Sequence, residues 1–124
     1  MTELQQVITA LRAECDELDE LLAGLDEAQW DEPTPAPGWT VKHQVAHLSF
    51  VFSIAGLAAT DPERFAAVAA GARGDFDRAV NAALQGYLHH PAAELFARWR
   101  RERAASLDAL AAVPPDRTVP WLVR

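Results

Sequence analysis

The chain has 124 residues, 50% of them hydrophobic and 23% charged, the balance of one small folded domain rather than a disordered tail. Eighteen acidic side chains against eleven basic give a net charge of -7, which repels a phosphate backbone and argues against nucleic-acid binding. A single cysteine excludes an internal disulfide framework, and no run of ~18 apolar residues offers a membrane span.

The amino terminus, "MTELQQVITALRAEC", has neither a basic start nor an apolar core of the secretory kind, so the expected compartment is the cytoplasm. Thr2 and Gln5 form a T-x-x-Q capping box. Leu4, Ile8, Leu11, Cys15, Leu18, Leu22 and Leu25 then recur at alternating spacings of four and three, predicting a helix over 2–24 with one apolar stripe. Glu14, Asp16, Glu17, Asp19 and Glu20 lie between stripe positions and read as a solvated face. Cys15 falls on the stripe, where a thiol behaves as a small hydrophobe.

Pro33, Pro35 and Pro37 exclude helix from the next stretch, and Pro37-Gly38 signals a turn. Thr40 is placed to cap a helix over 41–59. Val41, Val45, Leu48, Phe52 and Ala55 would form its core face, with His43, His47, Phe50 and Ile54 in a neighbouring stripe. A helix apolar over more than one face belongs near the centre of a bundle. Asp61-Pro62-Glu63 opens a further helical segment, broken at "GARGD" and resumed from Phe76 to Leu88. Pro91 opens a last long helix to about 113, with Leu95, Trp99, Ser106, Leu110 and Val113 inside and "RWRRERAASLD" as a charged outer face. The fold class is all-α.

Few residues have the chemistry of a site. His43 and His47 stand one turn apart, so both imidazoles can share one helix face, yet two ligands do not complete a metal centre. His89 and His90 diverge at a helix junction and read as capping or surface groups. Trp30, Trp39, Trp99 and Trp121 read first as packing anchors.

The stretch "PTPAPGWTVKHQVAHL", following Trp30, resembles the amino-terminal part of the mycothiol-dependent maleylpyruvate isomerase family, within the DinB-like group of metal-binding helical bundles. The later "RTVPW" is similar to the segment that precedes that family's next long helix. The resemblance implies a DinB-like bundle in a single domain over 1–124, with three of the four main helices plus the broken 61–88 connection. It also implies that His47, the histidine of the "VAHL" run, is a ligand to a divalent metal, typically zinc in relatives of this kind; His43 matches no family ligand. The remaining ligands, a glutamate and a histidine, would come from a helix beyond Arg124, so a partial chain is expected. By the same resemblance, the metal lowers the pKa of a thiol such as mycothiol. The thiolate adds to the double bond of maleylpyruvate, the bond rotates from cis to trans, and the thiol is eliminated.

A bundle short of one helix exposes an apolar groove, so a homo-oligomer is expected. Two functional readings follow. In one, a metal-dependent protein acting on a small-molecule substrate has its site completed by another chain or helix. In the other, a non-catalytic helical module binds a copy of itself or a protein partner through the groove.

Overall fold

A computed structural model describes residues 2–121; the end of the expected tail, 122–124, lies outside the described residues. Six helices occur among them: α1 (Glu3–Ala23), α2 (Glu27–Trp30), α3 (Val41–Thr60), α4 (Pro62–Gly71), α5 (Phe76–Leu88) and α6 (Ala92–Ala111). The all-α expectation holds, and the break between 61 and 88 falls at Gly74, whose φ of 98° only glycine adopts readily. No helix among the described residues is long and apolar enough to cross a membrane.

The local rules act as the sequence foretells. The Thr2 hydroxyl accepts from the Gln5 amide at 3.1 Å while the Gln5 side chain accepts from the Thr2 amide at 2.8 Å, closing the box on α1. Ile8, Cys15 and Leu22 of the stripe are buried. Asp61 and Asp75 cap α4 and α5 by accepting from the amides of Arg64 and Arg78. The one-turn α2 is absent from the sequence expectation. Its own box, Asp26 with Gln29, is enough to fold it and to bury Trp30 beside Phe96, with ring centroids 5.8 Å apart.

Helices α3 and α6 form the central pair; α1 packs on α6, and α4 and α5 pack on α3. The core face of α3 differs from the expected one. Val45 is buried, but so are Ala46 and Ser49, while Leu48 is 36% exposed. The reason is the opposing helix. Fully buried Trp99 of α6 takes up the interhelical volume, so α3 presents its small residues there instead of its large ones. Farther along, a Cβ at Gly56 would lie 3.4 Å from Ser106 Cα, so the backbones approach closely.

The charged face of α6 is also more structured than a solvated surface. Arg100 and Arg103 both reach Asp19 of α1, at 2.6 and 2.8 Å. Hydrogen bonding from Arg100 holds the Asp19 carboxyl below its ordinary range. A depressed folded-state pKa gives stability that is present above the unfolded value and is lost as pH falls through the folded one. Urea titrations from pH 6 downward are expected to show stability falling at and below the ordinary carboxylate range, with Asp19→Asn losing that part of the acid dependence. An unchanged acid profile in Asp19→Asn would show that Asp19 contributes none of it.

After Val113 the chain turns back. The Arg117 guanidinium donates to the Ala59 carbonyl at 2.6 Å, and Trp121 stacks on buried Phe65 with centroids 6.1 Å apart. The tail therefore runs beside α3 and α4, the side on which His47 opens.

Candidate functional site

The proline-rich stretch is a clasp on the first turn of α3. Pro33 and Thr40 form an isolated antiparallel bridge, and the Val41 amide donates to the Glu32 carbonyl at 3.0 Å. Thr34 donates from both its amide and its hydroxyl to the Trp39 carbonyl, at 2.8 and 2.9 Å. Gln44 of α3 in turn donates to the Thr34 hydroxyl. Gly38 makes the reversal at a φ of 79°, where a side chain would be strained. With both ends tied, the Trp39 indole is fixed against α3, its centroid 6.0 Å from the His43 ring and 5.4 Å from the His47 ring.

The two histidines then separate by role. His43 is the third helical residue and completes the capping box: its amide donates to the Thr40 hydroxyl, and its Nδ1 lies 3.4 Å from the Thr40 amide and 3.0 Å from the hydroxyl. An Nδ1 that accepts from an amide keeps its lone pair engaged, so this ring is spent on holding the helix start. His47 is half-buried and makes no side-chain hydrogen bond among the described residues. One turn decides which imidazole is free.

His47 faces a cleft of about 530 Å³. Helix α3 contributes Phe50 and Val51 to its wall beside the histidine, and α5 contributes Phe76, Asp77, Val80 and Asn81 across from it. Trp39 and Trp121 border the space, so the clasp and the returning tail both shape it. A smaller pocket of about 130 Å³ shares Phe50, Phe76 and Val80 with it and is lined further by Ile54, Val68 and Ala83. Asp77 and Asn81 were not singled out by sequence reasoning. Their four-residue spacing puts them on one helix face, but only the packing of α5 on α3 brings that face to His47.

The donor set can be tested against a metal. No group of three His, Cys, Asp or Glu side chains suited to an ion occurs among the described residues. They offer one imidazole, with Asp77 on the same cleft, and do not by themselves form a metal centre.

Other reactive groups are engaged elsewhere. Burial pushes the Cys15 thiol up in pKa despite nearby Arg103, so it stays protonated at neutral pH, as its place on the stripe suggests. His89 ends α5, and exposed His90 sits 3.1 Å from Glu94. In the core, Glu102 of α6 accepts from Ser49 at 2.8 Å, from Tyr87 at 3.2 Å and from Arg98 at 2.7 Å. Sequence reasoning placed Glu102 on the outer face; its neighbours Trp99 and Ser106, both one turn away and buried, are the signal that it points inward.

Fold and site together define a helical bundle in which a rigid loop and a central helix present one free histidine to a largely apolar cleft. The family follows from comparison with known proteins. The model of the mycothiol maleylpyruvate isomerase N-terminal domain matches residues 11–124, and the chain belongs to that family. Two similar proteins of Mycobacterium tuberculosis are "Uncharacterized protein MT0041" from strain CDC 1551 / Oshkosh and "Uncharacterized protein Rv0036c" from strain ATCC 25618 / H37Rv. Each is 39% identical over 114 residues, covering 92% of this chain and 44% of the relative. The chain thus spans less than half the length of these relatives. No solved structure matches it significantly.

Proposed function

We propose that the chain, as a single domain over 1–124, supplies His47 as one ligand to a divalent metal, zinc by family resemblance, in a metal-binding protein of the maleylpyruvate isomerase or DinB-like type. The observation that carries this reading is the division of labour on α3: His43 is engaged with Thr40, while the histidine that matches the family's ligand is unengaged and faces the cleft. The other ligands come from polypeptide outside the described residues, or from a second copy of the chain. Mycothiol or a similar thiol is the co-substrate the family suggests, acting on a small molecule in the cytoplasm.

The experiment is metal analysis across a size-exclusion peak of wild type and His47→Ala. Zinc in fixed proportion to chain, absent from the variant, is the expected result, and the mass of the peak identifies whether a second copy completes the site. A folded, metal-free peak that the substitution leaves unchanged contradicts the reading. The second reading, a non-catalytic module that self-associates, draws support from the cleft's mouth, where Phe76 and Trp121 are 44% and 45% exposed. A metal-free dimer would favour it.

A further inference from the structure

The segment after α6 is tied down at points that lead to the His47 cleft. We infer that residues 113–121 are a strap that fixes Trp121 at the mouth of that cleft, with Arg117 as the residue that positions it, so that releasing Arg117 uncovers His47. Its bearing on metal chemistry rests on the proposed function; its geometry does not.

The first hold is electrostatic. A helix leaves its last carbonyls without partners inside the helix. At the end of α3 the Leu57 carbonyl is met by the Asp61 amide at 2.7 Å. Ala59 is only 4% exposed, and its carbonyl is met at 2.6 Å by Arg117, 58 positions along the chain. The last turn of α3 has no basic side chain of its own, so the cation that suits its negative end comes from the tail. Take Arg117 away and that carbonyl becomes a buried acceptor without its donor.

The second hold is the route from there to Trp121. Val113 is buried, and the Arg117 amide donates to the Pro114 carbonyl at 3.0 Å, closing the turn that brings the guanidinium back to α3. Val119 packs on the cluster of Ile54, Ala58 and Phe65. Pro120 restricts the backbone just before Trp121, whose ring lies 18° from coplanar with that of Phe65. That stack sets a half-exposed indole on a buried phenyl ring, and the indole borders the same cleft as His47. A segment with few buried contacts is the kind that opens locally while the fold stays intact. Once the charge-assisted bond of Arg117 is lost, only Val119 and the stack hold the strap.

Carbethoxylation of the four histidines by diethyl pyrocarbonate, located by mass spectrometry on the 124-residue chain after chelation of any metal, tests this. His89 and His90 are exposed and serve as references, and His43, tied to Thr40, reports any general loosening of α3. Arg117→Ala is expected to speed modification of His47 several-fold and to leave the other three rates unchanged. Arg117→Lys, which keeps a cation and a donor, is expected to retain most of the protection. Trp121→Ala removes the wall but not its anchor and is expected to match Arg117→Ala. The double variant is expected to add nothing further, because Arg117 acts through Trp121. An unchanged His47 rate in Arg117→Ala, His43 and His47 speeding together, or additive effects in the double variant would overturn the inference. Zinc content of unchelated samples keeps the two claims apart. His47 uncovered by Arg117→Ala on a chain that holds no zinc would sink the metal reading alone. Zinc lost with His47 on a chain whose rates ignore Arg117 would sink the strap alone.

Discussion

Trp99→Ala is expected to destabilise the chain by about 3–5 kcal/mol, the range for deleting a large buried aromatic side chain. Trp99 is fully buried between α6 and α3, stacks on Phe96 at 6.0 Å and lies under the Arg103 guanidinium. The opposing residues, Ala46 and Ser49, are too small to collapse into the space it leaves. Against a total stability of about 5–15 kcal/mol for a typical protein, the loss is a large fraction. It corresponds to a fall in Tm of roughly 10–20 °C. Trp99→Phe provides the contrast. The indole Nε1 is buried without a hydrogen-bond partner among the described residues, so replacing it removes an unpaired donor while keeping most of the ring. That variant is expected to lose only about 1 kcal/mol. Thermal unfolding of the two variants measures both effects, and equal losses would show that ring volume is not what Trp99 contributes.

Glu102→Ala has the next largest expected cost, about 2–4 kcal/mol, because one carboxylate serves three donors from three helices. Ser49 on α3 is fully buried, and without Glu102 its hydroxyl loses its acceptor. Tyr87 on α5 is buried as well. Its phenol is pushed above its usual pKa, first by burial and then by the Glu102 charge, and so remains a donor at all ordinary pH values. Arg98 pairs with Glu102 one turn away and covers the Tyr87 ring at 3.9 Å. Glu102→Gln keeps an acceptor in place and is expected to recover more than half of the loss. A double-mutant cycle of Glu102→Ala with Ser49→Ala checks the pairing. Additive effects would mean that the hydrogen bond contributes nothing.

How far the sequence reaches is clear from particular residues. The starts of α1, α3 and α4 were legible because their caps are local: Thr2, Thr40 and Asp61 each satisfy amides within three residues. The clasp was legible as a rigid turn from its prolines and Gly38. Pairwise helix contacts were not. Leu48 was placed in the core and Ser49 was not, because the choice between adjacent residues depends on Trp99 of a helix about fifty positions away. The site divides the same way. His47 stands out through the resemblance carried by residues 30–48, and its cleft lies where the loop aims it. Asp77, Asn81 and the smaller pocket become visible only when α5 packs on α3.

The central claim is that α3 commits His43 to its own cap and leaves His47 for chemistry. Measuring bound zinc and unfolding free energy together, for His43→Ala and His47→Ala, tests it most directly. His43→Ala is expected to lose about 0.5–1 kcal/mol of stability, the worth of half a capping box, and to keep its zinc. His47→Ala is expected to lose the zinc while the metal-free chain keeps its stability. Loss of metal in both variants would make the pair a joint ligand set. Loss in neither would contradict the account and make His47 a wall residue of an apolar cleft.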